Sequence, residues 1–232
     1  MNAPLTVAAG QASCVALDVA ANVATAARLV RLAADQGAEL VVLPELFLTG
    51  PELTAVVVEP AKYTVGETDS RLDPLADACA DSRTAAVVGA PVWEDGRILV
   101  SAHVLGRGGQ PVGRYDKQHL TAAERAVGIS AGTLGHTVSL DTWRLGVAIG
   151  EDVHHAEHAR AAARDGCQVY LVGTPLDRPG PPDSLVTERA ADNGLYTVLA
   201  GPVGSGIWHP EGERLAEAGA DPSVAAATLE RL

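Results

Sequence analysis

Aromatic residues make up only 3% of this chain, with a single Phe and a single Met. A buried core must therefore be packed from Val, Leu and Ala. Cysteine is nearly as sparse. Cys14, Cys79 and Cys167 form an odd set without C-x-x-C spacing, which argues against a disulfide framework and for a reducing compartment. Basic residues are outnumbered, 17 Lys and Arg against 29 Asp and Glu, for a net charge of −12. With no basic patch, nucleic acid and anionic membrane are poor partners, and the acidic excess reads as a soluble surface. No apolar run approaches the roughly 18 residues of a membrane span. The first residues lack the basic-then-apolar order of a signal peptide, so the expected location is cytoplasmic.

What the chain does have is 47% hydrophobic residues over a length of 232, ample for a core. Neither a short internal repeat nor a linker is visible, and residues 1–232 read as a single domain. Short apolar runs alternate with helical patterns. Leu5–Ala9 is a strand. Asp18 is an N-cap, after which Val19, Val23, Ala27, Val30 and Ala34 recur at helical spacing until Gly37. Ala38–Leu43 is a strand that ends in Pro44-Glu45. A helix over about 70–82 places Pro74 in its first turn, where proline is tolerated.

Strands follow at Ala85–Val92 and Ile98–Leu105 around Asp95-Gly96, then at Val112–Tyr115 beyond Gly108-Gly109. Thr137–Leu140 should pair with Leu145–Ile149. A helix from about His155 to Asp165 stops at Gly166, and Val169–Gly173 is a buried strand. A loop with Pro175, Pro179, Pro181 and Pro182 leads to Asp183, expected to cap a helix ending at Asn193-Gly194. Tyr196–Ala200 is a strand, and Pro210-Glu211-Gly212 a late turn. Strands without polar alternation have both faces covered, and their alternation with helices defines an α/β protein. The pattern alone does not separate one open sheet from two sheets packed together.

Three places carry chemistry. Glu45 ends an apolar strand, where a poorly solvated carboxylate suits a general base; the bland alternative is a loop or capping Glu. Lys117, within Tyr115-Asp116-Lys117-Gln118-His119-Leu120, offers a fixed ammonium for an oxyanion, although lone lysines are usually solvated. Glu124 just beyond is equally ambiguous. The third is the run Arg144 to Asp152, an apolar strand entering a turn at Gly150. His154 and His158 sit four apart, but the H-E-x-x-H order is missing, and solvated histidines at a helix start are the better reading than a metal site. Cys79 and Cys167 read as small core residues, and the role of Cys14 is open. No cofactor motif is present.

Together these pieces resemble the nitrilase, or carbon–nitrogen hydrolase, superfamily over nearly the whole chain. The likeness runs through Val7-Ala8-Ala9-Gly10-Gln11, Gly37 to Glu45 with Thr49-Gly50, Tyr115 to Leu120 with Glu124, and Gly146 to Asp152 continuing to Gly166. It closes with Glu188-Arg189-Ala190, Asn193-Gly194 and Pro210-Glu211-Gly212. The resemblance implies an α-β-β-α sandwich, two sheets face to face with helices outside, that forms homodimers. It implies no cofactor and a small-molecule ligand handled by a Glu–Lys–Cys set. Glu45 would be the base, Lys117 the oxyanion partner together with the backbone N–H of Glu151, and Glu124 a second carboxylate.

One departure outweighs the match: the superfamily's nucleophilic cysteine falls on Gly150. Without a thiol there is no thioester route. Loss of a nucleophile costs about 10⁶ in turnover in subtilisin, the worked case for such a triad. Glu151 should face away from the pocket, since successive strand residues alternate. Lesser departures are Leu-Val-Ser-Ala at 99–102, where Asn is common, Ala156 in place of Pro, and a shortened Gly201–Gly206 loop. Three readings stay open: noncovalent acid–base chemistry on a small amide or carbonyl compound, a ligand-binding or regulatory pseudoenzyme, and an amidase whose nucleophile was replaced by mutation.

Overall fold

Two stacked sheets carry the chain, each of six strands. The structure is a computed structural model that describes residues 3–133, 135, 137–175, 177 and 180–231; the expected Pro179 of the proline-rich loop lies outside them. In order, the elements are β1 (Leu5–Gln11), α1 (Val19–Asp35), β2 (Leu40–Val42), α2 (Leu53–Val58), α3 (Pro60–Tyr63), α4 (Asp73–Ser82), β3 (Ala85–Glu94), β4 (Arg97–Leu105) and β5 (Pro111–Asp116). Then come α5 (Ala122–Ala126), β6 (Thr137–Leu140), β7 (Trp143–Ile149), a 3-10 turn (Gly150–His154), α6 (Ala156–Arg164), β8 (Val169–Gly173), α7 (Asp183–Asn193), β9 (Tyr196–Ala200), β10 (Gly206–Trp208), β11 (Arg214–Glu217) and β12 (Ser223–Leu229).

The first sheet runs β12-β1-β2-β3-β4-β5 and the second β11-β10-β9-β8-β7-β6. β1, β2 and β3 are mutually parallel, as are β7, β8 and β9. Crossover helices are what parallel neighbours require, so α1 and α4 cover the outside of one sheet and α6 and α7 the outside of the other. Strand periodicity sorts the side chains. Leu40 and Val42 face the core between the sheets, while Val41 faces the helix layer. In the second sheet Val147, Ile149 and Leu171 point inward, and Ala148 and Val172 pack under the helices. The expected α-β-β-α sandwich is what forms. β1 pairs with β12 over the full stretch Leu5–Leu229 to Gln11–Ser223, which ties the two ends of the described chain together.

Two local expectations need correction. Asp183 does not cap α7. Pro182 holds the N-cap position without a side-chain bond, and Asp183 opens the helix itself, paired with Arg214. A carboxylate in the first turn still complements the helix dipole. The helix expected over 70–82 begins as a 3-10 turn at Ser70–Leu72 and becomes α-helical only at Asp73. Asp69 caps that turn by accepting from Arg71 N. Among the described residues no helix is long and apolar enough to cross a membrane.

Candidate active site

Glu45 leaves the end of β2 on a turn gripped from both sheets. Its N–H donates to the Thr174 carbonyl at 3.0 Å, and the next residue, Leu46, holds a left-handed φ of 51°. Two glycines make room for this turn. A Cβ on Gly89 of β3 would overlap Leu46 N and stand 2.6 Å from the Pro44 carbonyl oxygen; one on Gly173 of β8 would stand 3.1 Å from Glu45 N. One glycine from each sheet thus lets the Pro44-Glu45 backbone pass between them, a close approach that tolerates no side chain. Sequence reading passed over both, because a glycine inside a strand says that something comes near but not what.

Lys117 follows β5, and its ammonium is completely buried. Nζ donates to Glu45 Oε1 at 2.6 Å and to Glu124 Oε1 at 2.5 Å. Burial by itself would lower the Lys117 pKa, but the two carboxylates outweigh it and hold the value above the usual lysine range. Burial likewise pushes Glu124 up, and Lys117 with the Thr121 bonds more than reverses this, leaving its carboxyl below the usual range. Such a pairing is what keeps buried charge tolerable.

Glu124 is positioned by its own short helix. Thr121 Oγ1 accepts from Glu124 N at 3.1 Å, and Glu124 Oε2 accepts from Thr121 N at 2.6 Å, so one carboxylate oxygen closes a capping box while the other holds Lys117. The Thr-x-x-Glu spacing was a readable signal for this arrangement that the motif reading left aside.

Gly150 starts the turn after β7 with a φ of +48°. A Cβ placed there would overlap Glu45 Oε2, 3.0 Å from Glu45 Cδ and 3.1 Å from Lys117 Nζ. All four positions singled out in the sequence therefore meet. Asp152 secures the turn: Oδ2 accepts from Ile149 N at 3.0 Å and from the Tyr115 hydroxyl at 2.7 Å, and Oδ1 accepts from His119 N at 2.8 Å. The strand carrying Lys117 and the turn carrying Gly150 are thereby fastened to one carboxylate.

The expectation of solvated histidines fails at His158, which is 3% exposed. It spans Tyr115 and Tyr170 at 2.9 and 2.8 Å. His154 and His155 are exposed, and His155 stacks on His119 with ring centroids 3.8 Å apart. Helical spacing put His158 on the inner face of α6, where the two tyrosines satisfy it. Among the described residues no group of three or more His, Cys, Asp or Glu is placed to hold a metal ion.

A cavity of about 210 Å³ opens onto this group, walled by Glu45, Leu46, Glu52, Glu124, Pro175 and Asp177 among others. None of the three cysteines lines it. Burial raises the thiols of Cys79 to about 12 and of Cys167 to about 11, and both pack as core residues. Cys14 is raised to about 11 by burial and by the charge of Glu52. The Glu151 side chain is half-buried. Neither the Gly201–Gly206 loop nor Leu99–Ala102 borders the cavity. The loop folds on itself, Gly201 N donating to Ser205 Oγ at 2.9 Å, and Ser101 bonds Asp116 at 2.6 Å.

A buried ammonium between two carboxylates thus lies beside a small cavity, at strand ends of an α-β-β-α sandwich. The chain belongs to the carbon–nitrogen hydrolase family, whose model matches residues 6–231. It is 32% identical to the hydrolase in the pqqF 5′ region of Pseudomonas protegens, over 93% of this chain and 79% of that protein. It is 28% identical to the human omega-amidase NIT2, over 88% and 80%. Among solved structures, an amidase from Nesterenkonia sp. superposes with a TM-score of 0.85 at 25% identity, covering 97% of this chain and 90% of that one.

Proposed function

We propose that this protein binds a small amide or carbonyl compound at the Glu45–Lys117–Glu124 site and forms no thioester with it, because position 150 is where a family nucleophile would stand. The observation that carries this is the direction of the missing Cβ at Gly150, which runs between the Glu45 carboxylate and the Lys117 ammonium. A base and an oxyanion partner flanking one point is the arrangement a nucleophile needs, and this chain offers only backbone there.

The chemistry left to the site is noncovalent. Glu45 reaches the cavity and is the group to take a proton from the ligand or from an attacking water. In this reading Lys117, with the N–H of Glu151 on the turn, stabilises negative charge developing on a carbonyl oxygen. Relatives support the ligand class: a variant of the Nesterenkonia sp. AN1 amidase has been solved in complex with butyramide. A pure binding role is the second reading, favoured by Glu45 filling the space beside Gly150 and pairing with Lys117.

The test supplies butyramide and small nitriles to the protein and to Gly150→Cys, following product release and intact mass. The expected result is an unmodified mass and no thiol-dependent hydrolysis by the native chain. An acyl adduct on Cys14, or hydrolysis abolished by alkylating the thiols, overturns the proposal. Lys117→Ala separates the two readings: conversion lost with affinity kept supports catalysis, and a native chain that binds without converting supports the binding role. The family likeness also carries an expectation of a homodimer, which light scattering in solution checks.

A further inference from the structure

We propose that His119 and His155 form a pH-sensitive latch, which holds the segment after Lys117 against the Gly150 turn at neutral pH and releases it in mild acid. The two imidazoles stack with ring centroids 3.8 Å apart and an interplanar angle of 16°. They come from different parts of the fold. His119 lies between Lys117 and Thr121, whose N–H holds Glu124 Oε2, and His155 is the N-cap residue that joins the turn to α6. The His155 N–H donates to the Asp152 carbonyl at 3.0 Å. The stack therefore bridges the segment that sets Lys117 and Glu124 to the turn that begins at Gly150. Both rings reach solvent, His119 with 33% of its side chain exposed and His155 at the surface.

The first proton taken by this pair finds a carboxylate; the second finds a like charge. His119 Nδ1 lies 2.9 Å from Asp152 Oδ1. An ionised carboxylate only accepts, so that nitrogen carries the hydrogen and Nε2 is left to take a proton. A second proton puts two positive rings in van der Waals contact, and it sits at the N-terminus of α6, the end of a helix that disfavours a cation. Around the pair stand Asp152, Glu151 and His154 on the turn and His158 on α6. Burial, His119 and His154 lower the His155 pKa from the ordinary 6.5, and Glu151 and Asp152 oppose them without prevailing. His158 meets His119 edge-on at 5.9 Å, its ring nitrogens bonded to Tyr115 and Tyr170. The latch is thus closed above the lowered His155 value and opens as pH falls through it. Asp152 keeps its bonds to Ile149 N, His119 N and the Tyr115 hydroxyl, so the opening is local and leaves the fold intact.

The experiment follows the full chain at pH 7.5 and pH 5.5 by hydrogen exchange and mass spectrometry, corrected for the intrinsic pH dependence of exchange. Segments 117–121 and 150–155 should exchange about tenfold faster at the lower pH, while β1 stays unchanged. His155→Phe keeps a flat ring without a charge and should abolish the acceleration; His155→Gln, which removes the charge with the ring, serves the same purpose if the Phe variant does not fold. Histidine ring protons followed by NMR should show the pair titrating in two steps at least about one pH unit apart. No acceleration in the native chain, equal acceleration in the variants, acceleration that extends to β1, or two rings titrating independently overturns the latch. Its consequence for a ligand rests on the function proposed above: butyramide affinity should fall at least about threefold between the two pH values in the native chain and stay level in His155→Phe. Butyramide binding at neither pH removes the ligand site, while exchange and titration still decide the latch.

Discussion

Gly150 and Glu45 compete for one volume: the position a Cβ would take at residue 150 is occupied by the Glu45 carboxylate. The two residues are set by different sheets, Glu45 by the end of β2 and Gly150 by the end of β7, so the overlap reflects how the layers stack. The Glu45 side chain has settled into space that only glycine leaves open.

Gly150→Ala should therefore destabilise the fold by about 1–3 kcal/mol, combining a left-handed backbone with overpacking. Pairing it with Glu45→Ala should recover part of this loss, because the overlapping carboxylate is gone. Denaturant unfolding of the two single variants and the double variant measures the coupling. Strictly additive losses would mean that Glu45 and residue 150 do not share space.

Removing Lys117 strands two buried carboxylates. Lys117→Met should cost about 3–5 kcal/mol, the range for breaking a buried pair from one side. Adding Glu45→Gln and Glu124→Gln to it should restore much of the stability, since none of the three positions then carries a buried charge. An unchanged unfolding midpoint for Lys117→Met would show that the ion pairs carry no stability.

The two sheets' grip on Glu45 predicts unequal glycine effects. Gly89→Ala drives a Cβ into the Pro44–Leu46 backbone, whereas Gly173→Ala meets Glu45 N at a tight 3.1 Å. The first should cost roughly 2 kcal/mol or more and the second less. Thermal unfolding of both, with ligand affinity as a second readout, checks the order; the reverse order would place the constriction on β8.

Stability should also fall on mild acidification through His103. This residue is 2% exposed, and its Nε2 donates to the Val65 carbonyl at 2.8 Å while Nδ1 has no partner. Burial holds its pKa below the ordinary 6.5. The folded state then binds fewer protons than the unfolded chain, so stability is complete above that value and is lost as pH falls through the lowered one. Glu124, also lowered from its ordinary 4.5, adds a second loss deeper in the acid range. Lys117, raised above 10.5, has the opposite sign: its contribution is present below that value and disappears as alkali climbs through the raised one. Urea unfolding at pH 7.5 and pH 5.5 should show a smaller difference for His103→Gln than for the native chain. Equal differences would remove His103 from the acid response.

Much of the architecture could be read in advance, since it depends on local partition between core and solvent. The β2 sequence Leu40-Val41-Val42 has no polar residue, and the structure buries both its faces, one under α1 and one between the sheets. The α6 pattern placed the helix within a residue at each end yet misread His158. Spacing shows which face a side chain occupies, but Tyr115 and Tyr170, the partners that make burial of an imidazole affordable, lie in strands of different sheets. Asp183 was misassigned for a smaller reason: capping residues are also common in the first turn, and only the neighbouring Arg214 decided between them.

By itself the sequence determined the alternation of strands and helices, the acidic and aromatic-poor surface chemistry, and the strand ends at which Glu45, Lys117 and Gly150 fall. Those follow from hydrophobic periodicity and turn residues, which act over a few positions. Tertiary structure alone decided that Lys117 bridges a carboxylate 72 positions away, that Gly89 and Gly173 open the gap for Glu45, and that Glu45 and Glu124 line one cavity. Stacking two sheets about 10 Å apart brings strand ends together whatever their separation in the chain. Charge pairing and close backbone approach are properties of that stacking.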